Sequence, residues 1–210
     1  MGMRFTPDRA QFAWIWGALW AGCLLPLPLL AADALRDALG ANPVEYITRA
    51  TGDWTLRLLL LTLAVTPLRQ LTGWHWLVRL RRMLGLYAFF YGCLHLATYV
   101  WLDQFFDWPG IVADIVKRPF VTLGFAAFTL MVPLALTSTH GMIRRLGGRN
   151  WQRLHRSVYA VGILGVAHYA WLVKKDLTEP VLYAVVLGLL FVLRLWHGHR
   201  MKRTLAVQAS

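Results

Sequence analysis

Residues 151–175 read WQRLHRSVYAVGILGVAHYAWLVKK. The apolar run within it, 154–173, is long enough to cross a bilayer as a helix, since about 20 residues suffice. Two histidines stand in it, His155 and His168. Ionisable side chains inside a membrane segment are costly and rare, so each is a functional candidate. A second apolar run, 82–102, carries another, His95. Neutral imidazoles facing each other across two helices are the ligand set of a low-spin heme. The fold and the function both turn on whether His95 and His168 form such a pair.

The surrounding composition agrees with a membrane. Of the 210 residues 58% are hydrophobic, and the mean hydropathy is +0.48; soluble domains hold roughly 45–50% apolar residues. A net charge of +12 would suggest nucleic acid on a soluble protein, but here the basic residues lie between apolar runs and read as topology signals, with no nucleic-acid partner. Cys23 and Cys93 both fall inside apolar runs and read as packing residues, without a disulfide or zinc pattern. There is no low-complexity tract or repeat, so one membrane domain over 1–210 is expected.

Six predicted spans follow: 12–31, 50–68, 83–102, 119–137, 154–173 and 179–196. The first resembles a signal peptide, with Arg4 and Arg9 ahead of an apolar core, but that core is long and five further spans follow, so a retained helix is expected. Lysine and arginine set the orientation. Arg4, Arg9, Arg69, Arg79, Arg81, Arg82, Arg144, Arg145, Arg149, Arg153, Arg156, Arg194, Arg200, Lys202 and Arg203 fall on one side; only Arg36, Arg49, Lys117, Arg118, Lys174 and Lys175 fall on the other. The fold expected is therefore an all-α, six-helix integral membrane bundle with both termini cytoplasmic. A short apolar piece, 108–116, cannot span and is expected at the outer interface. Trp14, Trp16 and Trp20 near one end, and Tyr99, Trp101, Trp108 and Trp171 near the other, read as interfacial belts.

Depth singles out two of the seven histidines. His95 lies about 20 Å along its helix from Arg82, and His168 about 21 Å along its own from Leu154, at 1.5 Å per residue. Both helices run outward, so the imidazoles reach a similar level in the outer half. Gly92 precedes His95 by three residues and Gly165 precedes His168 by three, on the same helix face, where a glycine leaves room for a flat macrocycle or for close helix packing. The alternative for each histidine is a hydrogen bond to a neighbouring helix. His155 sits near the cytoplasmic edge, about 140° around an ideal helix from His168, and the third span has no second histidine to pair with it. Met83 has the chemistry of a sulfur ligand. His75, His140, His197 and His199 lie in basic loops or the tail and read as solvated. Arg57, in the outer half of the second span, either snorkels to the interface or meets a heme propionate.

Particular motifs add a family resemblance. Arg81-Arg82-Met83-Leu84-Gly85-Leu86 with His95, Trp151-Gln152-Arg153-Leu154-His155-Arg156, His168-Tyr169 near Lys174, Thr66-Pro67-Leu68-Arg69, and Thr137-Ser138 ahead of Arg144-Arg145-Leu146-Gly147 resemble the MsrQ (YedZ) family. Its members are heme-binding membrane subunits of the bacterial methionine sulfoxide reductase system, with a ferric-reductase-like transmembrane domain. The likeness covers about residues 10–200. It implies heme b held by His95 and His168 through the iron, with His155 a further candidate ligand, and bound FMN. It also implies a periplasmic molybdopterin partner, MsrP, which reduces methionine sulfoxide in envelope proteins.

The expected function is transmembrane electron transfer in the bacterial inner membrane, with no substrate chemistry of the chain's own. The sequence has no GxGxxG fingerprint and no room for a nicotinamide-binding domain, so a cytoplasmic flavin reductase or the quinone pool must donate. Arg81, Arg82, Arg144, Arg145 and Arg153 are the cationic candidates for a flavin phosphate, and Trp74 or Trp76 for stacking on its ring. Asp103, Asp107, Lys174 and Lys175 are candidates for an outer docking rim. Three rival readings remain: a cytochrome b561-like quinol or ferric reductase, which needs no MsrP; a transporter or proton-relay membrane protein, which would be colourless; and a purely structural membrane anchor.

Overall fold

Asp8 starts the first helix. Its carboxylate accepts the Gln11 amide at 2.8 Å while the Gln11 side chain accepts the Asp8 amide at 3.1 Å, a reciprocal cap. From there α1 (Arg9–Leu24) runs to Leu25, and the chain continues as α2 (Pro26–Leu35). Asn42 caps α3 (Pro43–Thr72), which Gly73 closes in the left-handed conformation at φ 72, where a side chain would be strained. A 3-10 turn, His75–Leu77, leads into α4 (Val78–Ala97), and a π-helical turn, Thr98–Asp103, extends it. Then follow α5 (Trp108–Lys117), α6 (Pro119–Leu136), α7 (His140–Leu146), α8 (Gly148–His155), α9 (Val158–Leu172) and α10 (Thr178–Gln208). The computed structural model describes residues 5–173 and 176–208, and among these there is no strand. Arg4, Lys174 and Lys175, and the side chains of His199, Arg200, Lys202 and Arg203, lie outside what is described.

Among the described residues four stretches are long and apolar enough to cross a membrane: Arg9–Leu35, His75–Asp103, Pro119–Leu136 and Thr178–Gly198. Each contains one predicted span or nearly all of it. The predicted spans 50–68 and 154–173 are helical too, but differ in instructive ways. Helix α3 has 30 residues, yet carries Glu45, Arg49, Asp53, Arg57 and Arg69 along its length. Its middle is wrapped by protein: Leu56, Leu58, Leu59, Leu60, Leu63 and Val65 are all buried. A helix enclosed by other helices has less need of a continuous lipid-facing surface. The stretch 154–173 is broken. Helix α8 ends at His155, a turn follows at Arg156 and Ser157, and α9 is only 15 residues long. Ser157 turns its hydroxyl back onto the Leu154 carbonyl at 2.8 Å. His155 and His168 therefore stand on different helices, and the 140° wheel angle expected for one continuous helix does not apply.

Helix α3 is the axis of the bundle, packed against α4, α9 and α10, while α6 lies along α9. The core draws Leu84, Ala88 and Tyr91 from α4, Ala127 and Met131 from α6, Val158, Val161 and Val166 from α9, and Leu187 and Leu190 from α10. Tyr91, 1% exposed, donates its hydroxyl to the Cys23 carbonyl at 2.8 Å and so ties α4 to α1. Cys23 is buried there as a free thiol. Helix α5 turns Ile111 inward and leaves Trp108, Val112 and Val116 exposed.

Candidate functional site

Four helices meet at one end of the bundle. Helices α4 and α9 bring their C-terminal turns, with His95 and His168; α3 and α6 run the other way and bring their first turns. His95 Nδ1 lies 2.9 Å from the Thr48 carbonyl on α3. His168 Nδ1 lies 2.6 Å from the Phe120 carbonyl on α6. A carbonyl only accepts, so each Nδ1 carries the proton and donates. In a neutral imidazole this leaves the Nε2 lone pair free, the tautomer a metal ligand needs.

The two rings sit 6.1 Å apart, centre to centre, at 77° to each other. Two metal–nitrogen bonds of about 2 Å, with about 1 Å from nitrogen to ring centre on each side, would span about 6 Å between ring centres, so one metal ion could be held between the two imidazoles. Among the described residues no group of three or more His, Cys, Asp or Glu could hold a metal ion. Two histidines alone would leave a bare ion half-coordinated, so this donor set would suit a metal that brings most of its own ligands.

Both histidines are seated by the same device. Thr48 supplies the carbonyl to His95, and Gly52, four residues on, leaves the space: a Cβ at Gly52 would lie 3.1 Å from the ring. Phe120 supplies the carbonyl to His168, and Gly124, again four residues on, would place a Cβ 3.0 Å away. In a helix the residue at i+4 covers the carbonyl at i. Glycine there uncovers it, and the imidazole reaches in. Sequence reading pointed instead to Gly92 and Gly165. They do line the cavity, but a Cβ on either would meet its nearest neighbour at an ordinary 3.6 Å. The missed signal was a pair of glycines on the two helices that carry no histidine.

A cavity of about 480 Å³ opens beside the imidazoles. Its walls are mainly apolar, with Leu56, Leu59, Val121, Ala127, Phe128, Met131 and Val161 among them. Asn42, Glu45, Arg49, Asp103 and Arg118 give it a polar mouth. The π-helical turn just past His95 also sends Tyr99 and Asp103 to this wall. Such turns recur at functional sites, and nothing in the hydrophobic pattern announced this one.

The remaining candidates lie elsewhere. Arg57 is absent from the cavity lining; its Nε donates to the Tyr183 hydroxyl at 2.9 Å, and its guanidinium stands 3.9 Å from Asp53. His155 stacks on Trp151 at 3.9 Å, and its Nε2 is 3.0 Å from Thr137 Oγ1. Since Thr137 spends its own proton on the Pro133 carbonyl at 2.6 Å, His155 Nε2 is the donor in that contact. His155→Ala is therefore expected to keep the spectrum that depends on His95 and His168, which a visible spectrum of the purified variant checks.

At the opposite, arginine-rich end, Arg82 and Met83 line a groove between α1 and α4 with Trp16, Trp20 and Arg79. Arg81 lies on the same arginine-rich end, near Arg69, Tyr159 and Arg194. Arg144 and Arg145 occupy the last turn of α7, and Arg153 the last turn of α8; all three are exposed. Trp74 and Trp76 stack on each other at 5.8 Å. Asp107 is occupied as the cap of α5, accepting the Gly110 amide at 3.2 Å.

Helices of membrane-crossing length around a histidine pair that lines one cavity define an all-helical, multi-pass membrane protein. Residues 51–166 match the family model for the ferric reductase like transmembrane component. Relatives are similar over nearly the whole chain. The protein-methionine-sulfoxide reductase heme-binding subunit MsrQ of Azospira oryzae is 60% identical over 90% of this chain and 81% of its own. The MsrQ subunits of Rhodospirillum rubrum and Herminiimonas arsenicoxydans are 54% and 52% identical, over 89% and 92% of this chain and 90% of each relative. No solved structure matches. The chain belongs to the MsrQ family of ferric-reductase-like membrane proteins.

Proposed function

We propose that this protein carries electrons across the bacterial inner membrane to a periplasmic methionine sulfoxide reductase. The observation that carries the reading is the His95–His168 pair: two imidazoles 6.1 Å apart on one cavity, each with Nδ1 committed to a backbone carbonyl. In this reading six helices cross the bilayer, α3 and α9 being the two short of lipid-facing apolar length, and both termini are cytoplasmic. The relatives named as heme-binding subunits support heme b as the ligand of the pair. A heme bound there supplies one-electron chemistry.

The chain's own residues do the rest. The Thr48 and Phe120 carbonyls hold the two rings in one tautomer. The apolar walls keep water off the site, and the basic end, with Arg81, Arg82, Arg144, Arg145 and Arg153, offers cationic donors to the phosphate of FMN. Donors are a cytoplasmic flavin reductase or membrane quinol; the acceptor is the molybdopterin subunit MsrP.

The test is anaerobic turnover in detergent after heme-sufficient expression. Protein reduced by a flavin reductase with NADPH, or by quinol, is expected to show a sharp b-type band. That band is expected to bleach on adding MsrP and methionine sulfoxide together, and with neither alone. A colourless protein would falsify the electron-transfer reading in favour of a proton relay. A band that stays reduced beside MsrP and sulfoxide would leave a b561-like reductase with another acceptor.

A further inference from the structure

We infer that Arg49 and Arg118, at the mouth of the histidine cavity, bind the two carboxylates of the macrocycle and thereby fix its orientation and raise its reduction potential. The inference rests on the reading of His95 and His168 as the iron ligands. A b-type macrocycle is apolar except along one edge, which bears two propionates. The cavity has the matching form: apolar walls and one polar mouth. Two guanidinium groups reach that mouth from different elements, Arg49 from α3 and Arg118 from the residue that precedes α6. A guanidinium presents its N–H donors in a planar fork that a carboxylate accepts in pairs.

Both arginines now pair with acids a turn away, Arg49 with Glu45 at 2.7 Å and Arg118 with Asp114 at 3.2 Å. Those pairs are exposed on the arginine side, at 57% and 55%. Ion pairs of that kind are worth about 0–1 kcal/mol, so they can be shared with or exchanged for an incoming carboxylate. A second observation points the same way. Helix α6 has no side-chain cap, and Phe120 and Val121 of its first turn line the cavity. An uncapped helix start offers free N–H groups and a positive dipole end to an anion. Among the described residues the other charges lining the cavity, Glu45, Asp53 and Asp103, are acidic, so Arg49 and Arg118 are its described cationic partners for a propionate. Arg57 is committed to Tyr183 and Asp53 and offers no substitute.

The charge balance sets the expected effect. Uncompensated carboxylates beside the iron favour its oxidised, more positive state. Removing either arginine should therefore lower the ferrous-to-ferric ratio at a given potential by about tenfold, which is about 59 mV for one electron. The measurement is a potentiometric titration of wild type, Arg49→Gln, Arg118→Gln, Glu45→Gln and Asp114→Asn, each loaded with heme b or with its dimethyl ester. With heme b, both arginine variants are expected to fall, and the two acid variants to stay level or rise. With the ester, wild type and arginine variants are expected to coincide, and wild type to hold the ester more weakly than heme b.

An arginine effect of equal size with the ester would overturn the inference, because the guanidinium would then be acting only as a distant charge. Equal retention of ester and acid by wild type overturns it without any substitution, so a misfolded variant cannot protect it. A wild type with no reduced band for either macrocycle overturns the histidine reading, and this inference with it.

Discussion

His95→Ala and His168→Ala are each expected to abolish the reduced b-type band, leaving less than about a tenth of the wild-type heme after purification. In the proposed reading each substitution removes one of the two imidazoles that would hold the iron, and His155, with its Nε2 donating to Thr137, is not placed to replace either. Each also strips a partner from a backbone carbonyl, Thr48 or Phe120. The Thr48 carbonyl keeps the Thr51 hydroxyl at 2.9 Å, so one bond is lost rather than an acceptor orphaned, at a cost of about 0.5–1.5 kcal/mol. Some loss of thermal stability should therefore accompany the loss of colour, while the variants still reach the membrane. His140→Ala, outside the bundle core, is the control and should leave the spectrum unchanged. If the band survives either substitution, that histidine is not a ligand, and His155 becomes the place to look.

Gly52→Val and Gly124→Val are expected to have an effect nearly as large, although neither residue offers an atom to a metal. A bare Cβ would already stand 3.1 Å from the His95 ring and 3.0 Å from the His168 ring. Alanine asks the ring to give by a few tenths of an ångström. Valine adds two methyls to that Cβ and drives the imidazole off its carbonyl. Both glycines lie inside helices, α3 and α6, where valine has a better intrinsic helix preference than glycine. The helices should survive, and membrane-inserted protein should be recovered in near-normal yield with its heme content strongly reduced. Gly188→Ala on α10, where a Cβ would meet nothing within 4 Å, should behave as wild type. If both valine variants retain a normal band, the seating of the rings by these glycines is refuted.

Much of this molecule could be read from the chain itself. Helical class, the membrane and the choice of His95 and His168 over the other histidines came from apolar runs of spanning length and from one comparison of depth. Those are local or one-dimensional properties: a run of apolar residues is expensive to leave in water, and the rise per residue is constant. Reading failed where the outcome depended on a neighbour. The break after His155 has no proline or glycine to announce it. Arg57 was a reasonable candidate by depth, yet its direction around α3 takes it to Tyr183 and away from the cavity.

By itself, then, the sequence determined that this is a helical membrane protein with two histidines at matching depth, because hydrophobic length and rise per residue are legible in one dimension. Only the tertiary structure decided how the pair is held. The Thr48 and Phe120 carbonyls and the Gly52 and Gly124 gaps belong to helices that carry neither histidine. Which faces meet is set by packing between segments far apart in the chain, and no local pattern encodes it.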